Sequence, residues 1–325
     1  MEQAPELSVV VPLYNEEAIV DEVCTRVLAA CRGLGVPFEV VIVNDGSEDG
    51  TLAKLIAQAE AHSEVRVTDL MRNFGHMAAL TAGLERARGR AVVVMDGDLQ
   101  DPPELIPQLV EKWRAGAEVV YAVRASRQEG WLQRASTALF YRVLAMATGR
   151  RVPQQAGTFG LMDRRVVDAL NGMPERSRYF AGLRAWAGGR QEFVPYDRPA
   201  RASGRSRVGF LGLLRLSRTA LLSFSTVPLR VSSLLALLTS AVLFSVGLVA
   251  TIEKLFTNLA IPGWASTMVM IGTVGGVQSL VLFILCEYVA VIFEELKQRP
   301  LYVVRAEYGG GSRVAGVQDS GSGAP

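Results

Sequence analysis

Residues Ala91–Pro103 read AVVVMDGDLQDPP, and the fold follows from them. Ala91 to Met95 is a valine-rich run of the kind buried on both faces of a parallel sheet. It ends in Asp96-Gly97-Asp98, followed by Leu99, Gln100 and Asp101, and Pro102-Pro103 predicts a helix start. Open parallel sheets bind ligands at the carboxyl ends of their strands. Two carboxylates there, two residues apart, suit a hard divalent cation, with a phosphorylated ligand supplying further oxygens. The competing reading is a strand-end turn whose aspartates cap the next helix.

Upstream, the same pattern recurs three times. Leu7–Val11 (LSVVV), closed by Pro12, predicts a first strand, and Leu13-Tyr14-Asn15-Glu16-Glu17 the turn into a helix. Asn15 is the expected cap of that helix and Ile19, Val23, Val27 and Cys31 its inward stripe. Phe38–Val43 is the second strand, followed by Asn44-Asp45-Gly46-Ser47 and a helix over Thr51–His62. Val65–Leu70 is the third, followed by Arg72-Asn73-Phe74-Gly75-His76 and a helix to Ala87. Alternating apolar strands and amphipathic helices predict an α/β fold with a mostly parallel sheet covered on both sides. No G-x-G-x-x-G follows the first strand, so a dinucleotide fold of the dehydrogenase type is unsupported. Instead the strands end in Glu16, Asp45, Asp96 and Asp98, a crevice suited to a nucleotide whose diphosphate a cation neutralises; Asp45 and Asp49 also fit ordinary turn and cap roles.

The chain has 325 residues, half of them hydrophobic, and a formal net charge of +2. That charge is segregated: Arg198, Arg201, Arg205, Arg207, Arg215, Arg218 and Arg230 share a segment without Asp or Glu. Three cysteines, Cys24, Cys31 and Cys286, make neither a disulfide framework nor a metal pattern and suit a reducing compartment. The first strand begins at Leu7 behind acidic residues, so no signal peptide is expected and the amino-terminal part stays cytoplasmic. Val231–Ile252 carries no charge, and Thr267–Phe293 is similarly apolar apart from Gln278 and Glu287. Each is long enough to span a bilayer. Arginines precede the first span, and Lys297, Arg299 and Arg305 follow the second, so the positive-inside rule predicts a hairpin with both ends cytoplasmic. Nucleic acid is not an expected partner, because the basic segment borders a span and no reading motif is present.

VPLYNEE, VNDGSEDGT, RNFGHMAALTAGLERARG and MDGDLQDPPELIP, in that order and spacing, resemble glycosyltransferase family 2. The likeness continues through YAVR, FYRV, SFSTVPLR, GGVQ and CEYVAVIFEELKQRPLYVVR, and is closest to the polyprenyl-phosphate hexosyltransferases of the dolichol-phosphate mannosyltransferase and bactoprenol glucosyltransferase type. The resemblance implies a GT-A domain that moves a hexose from a UDP- or GDP-linked sugar to a polyprenyl phosphate, by inversion, at the inner face of the cell membrane. Pro12, Tyr14, Glu16, Asp45 and Asp96 then bind the nucleotide-sugar, and Asp96, Asp98 and Gln100 surround Mg2+ or Mn2+, with Asp96 and Asp98 the catalytic pair. Arg124, Arg134, Ser206 and Arg207 are the residues expected at the lipid phosphate, since a guanidinium fork matches phosphate geometry. Attraction of anionic headgroups to a membrane-surface patch also accounts for such arginines.

Two positions depart from the family pattern. Thr158, in GTFGLMDR, stands where many members carry an aspartate, and Ala181 stands where an arginine is usual. A phosphate monoester has a second pKa of about 6, so such an acceptor needs little help from a base. The expected organisation is a cytoplasmic GT-A domain over 1–198 and a basic juxtamembrane segment with amphipathic helices over 199–226. Two transmembrane helices within 227–296 follow, at about 229–252 and 267–293, then a cytoplasmic tail over 297–325 that is disordered after about 309. Trp131–Met146 is a further amphipathic stretch suited to the membrane surface. Membrane lipids are expected partners, and a homo-oligomer is compatible with this plan. A different lipid acceptor, such as a diacylglycerol-type lipid, and a catalytically silent membrane scaffold are the competing readings. Two spans and the lack of a Q-x-x-R-W motif argue against a processive polysaccharide synthase.

Overall fold

Val9–Val11, Val40–Val43 and Ala91–Val94 are all buried, as strands covered on both faces must be. In the computed structural model, which describes residues 4–124, 156–176, 178, 180–197, 227–256 and 263–309, these runs form a parallel core. Its strands are β1 (Leu7–Leu13), β2 (Phe38–Asn44), β3 (Val65–Leu70) and β4 (Ala91–Val94), in parallel register. The connecting helices are α1 (Val20–Arg32), α2 (Thr51–Ala61) and α3 (His76–Arg86). After β4 a short 3-10 turn at Pro103–Leu105 leads into α4 (Ile106–Arg114). The full sheet runs β7-β5-β6-β4-β1-β2-β3-β8, with β5 at Val119–Arg124, β6 at Ala156–Asp163, β7 at Gln191–Tyr196 and β8 at Val304–Tyr308. Helices α5 (Arg164–Asn171) and α6 (Phe180–Ala187) lie between β6 and β7 in the chain. Apolar residues of α1, α2 and α4 join one core layer, and those of α3, α5 and α6 join the other. Cys24 and Cys31 belong to the first layer, and burial pushes both thiols up to about 12.

Three local expectations need correction. Pro12 lies inside β1 rather than closing it, opposite Val43 of β2. Val10 accepts from Met95 on the β4 side, so the N–H that Pro12 lacks faces the same side two residues on, where β4 has ended. Asn15 does not cap α1, which starts at Val20 behind Ile19. The third correction concerns residues 297–325, expected to form a tail. Val304–Tyr308 instead adds an antiparallel strand to the edge of β3. Its alternation of small, charged and aromatic residues has no valine run, because an edge strand needs only one covered face.

Two long helices precede β8: α7 (Val227–Phe256) and α8 (Trp264–Leu296), which pack against each other. Among the described residues, one stretch, Met270–Leu296, is long and apolar enough to cross a bilayer, and Val231–Leu243 of α7 is a shorter apolar run. Leu237, Val242, Ile271, Phe283 and Phe293 are exposed on these helices. The amphipathic stretch 131–146 and the basic segment up to 226 lie outside the described residues.

Candidate active site

Each parallel strand ends in a loop that begins a helix, and the loops are stitched to one another. Asn15 is left-handed, with φ 51, and its Oδ1 accepts from Glu48 N at 2.9 Å while its own N–H donates to Ser47 Oγ at 3.0 Å. The backbone N–H of Glu16 donates to Thr51 Oγ1 at 2.9 Å, and Gly50 donates to Glu17 Oε2 at 3.1 Å. The residues after β1 therefore hold the loop after β2, Glu17 by its carboxylate, Glu16 by its backbone N–H and Asn15 by both backbone and side chain. Gly46 brings the loop after β2 against the loop after β3. Its φ is 65, and a Cβ there would stand 2.2 Å from the carbonyl carbon of Arg72.

Asp45 links the same two loops by its side chain. It is buried, and its oxygens accept from Phe74 N at 2.8 Å and Gly75 N at 3.0 Å. Burial raises its carboxyl above the ordinary aspartate value, against the opposing pull of those two N–H groups. A carboxylate oxygen can accept more than one hydrogen bond, so these contacts leave Asp45 able to meet a ligand as well.

The loop after β4 is held from beneath by Asp101. This buried carboxylate accepts Asp96 N at 3.1 Å on Oδ2 and the Tyr196 hydroxyl at 2.9 Å on Oδ1. Asp98 Oδ1 accepts from Gln100 N at 3.1 Å, and Leu99 between them is left-handed, with φ 59. Gly97 lets this loop touch the end of β1, since a Cβ there would stand 2.2 Å from Leu13 Cδ2. Asp96 and Asp98 are both half-buried.

These loops enclose a cavity of about 500 Å³ lined by Pro12, Tyr14, Glu16, Asp45, Asn73, His76, Asp96, Asp98 and Thr158, among others. It lies at the carboxyl ends of β1, β2 and β4, where the chain order reverses across β1, the usual ligand crevice of an open α/β sheet. Every residue expected at the nucleotide-sugar is in the lining, as are both aspartates of the metal pair. Gln100 is not in it; its N–H serves Asp98. Arg124 ends β5 opposite Tyr196 and is outside the lining. Arg134, Ser206 and Arg207 lie outside the described residues.

Three residues carry more than the sequence reading assigned to them. Asp101 is the anchor of the Asp96 loop; its signal was a third aspartate in the quoted stretch. His76, the first residue of α3, places Nε2 at 3.5 Å from Asp96 Oδ1. Loss of hydration lowers its pKa, outweighing the carboxylates of Asp45, Asp101 and Asp98. Its signal was its position after a strand end. Arg184 is buried under the floor, donating to the carbonyls of Gly157 at 2.8 Å and Thr158 at 3.3 Å, and it stacks over Tyr121 at 4.2 Å.

The family model described as "Glycosyl transferase family 2" matches residues 8–170. The chain is 41% identical over 305 residues to the uncharacterized glycosyltransferase sll0501 of Synechocystis sp., covering 94% of this chain and 96% of that protein. It is 36% identical over 305 residues to the SfII prophage-derived bactoprenol glucosyl transferase of Shigella flexneri, covering 94% and 99%. Among solved structures, glucosyl-3-phosphoglycerate synthase from Mycobacterium tuberculosis, in complex with Mg2+ and UDP, superposes with a TM-score of 0.50. That match has 21% identity over 67% of this chain and 77% of that one, a likeness of fold. With these matches spanning its catalytic sheet and nearly its whole length, the chain belongs to glycosyltransferase family 2.

Proposed function

We propose that the protein is a metal-dependent, inverting hexosyltransferase. It takes a UDP- or GDP-linked sugar and a polyprenyl phosphate and makes a polyprenyl-phosphate sugar at the cytoplasmic face of the membrane. The observation that carries this reading is the convergence of Tyr14, Glu16, Asp45, Asp96 and Asp98 on one switch-point cavity, in a chain similar over 94% of its length to a bactoprenol glucosyl transferase.

The donor set fits a hard cation. Asp96 and Asp98 offer oxygen ligands from one loop, and a diphosphate entering a cavity with four carboxylates, Glu16, Asp45, Asp96 and Asp98, needs a counter-charge. Among the described residues no group of three or more His, Cys, Asp or Glu is arranged to hold a metal by itself, which suits a cation shared between two aspartates and the donor's phosphates. Asp96, Asp98 and the adjoining Gln100 would hold Mg2+ or Mn2+, which as a Lewis acid neutralises the departing nucleoside diphosphate. Asp101 keeps the loop in register, and Asp45 with Glu16 and Tyr14 orients the nucleotide. An oxygen of the lipid phosphate attacks the anomeric carbon as the bond to the diphosphate oxygen breaks, so the configuration inverts.

Thr158 lines the cavity where many relatives carry an acid, and this supports an acceptor that is already ionised. Arg124, Arg134, Ser206 and Arg207 are read as the residues that hold the lipid phosphate. The α7–α8 pair is read as two membrane spans that hold the domain at the surface.

The test is incubation of the purified protein with radiolabelled nucleotide-sugars, using polyprenyl phosphate and diacylglycerol as separate acceptors, each with and without EDTA. Label should pass to polyprenyl phosphate, and chelation should stop it. Transfer to diacylglycerol alone would move the other lipid acceptor ahead, and no transfer to any lipid would leave the silent scaffold.

A further inference from the structure

Among the described residues, the titratable side chains that line the cavity are Tyr14, Glu16, Asp45, His76, Asp96 and Asp98, and His76 is the one nitrogen base of that set. Among the described residues, no lysine or arginine is in the lining. A nucleoside diphosphate is a multiple anion and gains from every hydrogen-bond donor it meets, most of all in a place crowded with carboxylates. His76 is built to be such a donor. The turn before it is fixed, because Asp45 takes the N–H groups of Phe74 and Gly75. It opens α3, an eleven-residue helix, in which Ala78 N and Ala79 N donate to Gly75 O; the N–H groups of His76 and Met77 precede that ladder, at the end whose dipole favours an anion. Its Nε2 stands 3.5 Å from Asp96 Oδ1, longer than a good hydrogen bond. Once Asp96 turns to a cation, the imidazole N–H needs another acceptor beside it.

We propose that His76 contacts the donor's diphosphate: its Nε2–H, together with the backbone N–H groups of His76 and Met77 that open α3, binds a phosphate oxygen. That contact persists while the bond from diphosphate oxygen to anomeric carbon breaks, and no proton is transferred. The assignment rests on the nucleotide-sugar reading of this cavity and adds the residue that recognises the diphosphate apart from the nucleoside.

Calorimetric binding to the detergent-solubilised full chain with Mg2+ tests it, using UDP and GDP against uridine and guanosine. His76→Ala should weaken binding of the preferred nucleoside diphosphate by about 10- to 150-fold, the usual cost of one hydrogen bond to a charged group. It should leave the matching nucleoside unchanged. His76→Gln keeps an N–H donor and should recover part of the loss. Alanine is a better helix former than histidine, so the melting temperature of the variant should hold. Equal diphosphate affinity in His76→Ala and the wild type overturns the proposal, and so does an equal loss of nucleoside and diphosphate. A wild type that binds neither diphosphate more tightly than its nucleoside overturns the nucleotide-sugar reading itself.

Discussion

Asp98 and Asp101 lie three residues apart and do different work. Asp98 faces the cavity and gives one oxygen to Gln100 N–H. Asparagine retains an oxygen for that bond, so Asp98→Asn should change the unfolding free energy by no more than about 0.5 kcal/mol. Transfer should nevertheless disappear, and EDTA should reproduce the effect until Mg2+ or Mn2+ is restored. Full turnover in chelator would remove the cation from the mechanism. Asp101 spends one oxygen on Asp96 N–H and the other on the Tyr196 hydroxyl. An amide there sets an N–H group against one of two donors, so Asp101→Asn should cost about 1–3 kcal/mol in unfolding free energy and lower kcat by displacing Asp96. Tyr196→Phe removes only the second bond and should cost less. Equal unfolding curves for wild type and Asp101→Asn would contradict the anchoring role.

At the scale of elements, β8 and the segment before it fasten the catalytic sheet to the end of α8. Met71 N donates to Val303 O at 2.9 Å, and Arg305 Nη2 donates to Met71 O at 2.6 Å. Arg86, at the far end of α3, donates to Glu307 Oε1 at 2.5 Å and to the Tyr302 hydroxyl at 2.9 Å, while Tyr302 bonds Glu85. The N–H of Arg176, in the loop before α6, meets the Glu295 carboxylate at 3.0 Å. Helix α3 thus reaches from His76 in the cavity to the strap that follows α8. Removing residues 301–309 should expose the β3 edge, lower the melting temperature and promote aggregation. Arg86→Ala alone should cost about 1–2 kcal/mol, discounted because Glu307 is partly exposed. A fragment ending at residue 226 that melts like the full chain would show that β8 contributes nothing.

For the whole molecule the decisive question is orientation. Charged residues follow α8 at Lys297 and Arg299, and β8 returns to the catalytic sheet. The sheet and everything after α8 must therefore lie on one side of any membrane that α7 and α8 cross. A reporter fused after Pro325 should read cytoplasmic, and one within residues 258–262 should read on the opposite side. Both reading from one side would mean that α8, the long helix between them, does not span.

The order and identity of the parallel core were legible in the chain because a strand covered on both faces must be apolar throughout, and a valine run is hard to produce otherwise. The cavity was legible for a related reason: residues at carboxyl ends of parallel strands meet whatever else the fold does, and Pro12, Tyr14, Glu16, Asp45, Asp96 and Asp98 line it together. Among the flanking strands, β6, β7 and β8 were not. β6 carries two glycines, β7 contains a proline and β8 alternates charge, and each becomes a strand only because a neighbour offers its ladder. Side-chain duty was likewise decided by tertiary contact. Asn15 joins two loops instead of capping a helix, because Glu48, 33 residues on, supplies its partner. Asp101 is an anchor because Tyr196, 95 residues on, reaches it. His76 belongs to the site because the turn that Asp45 fixes swings α3 toward Asp96. Local periodicity records which face of an element is buried; it holds no record of which distant residue arrives to meet it.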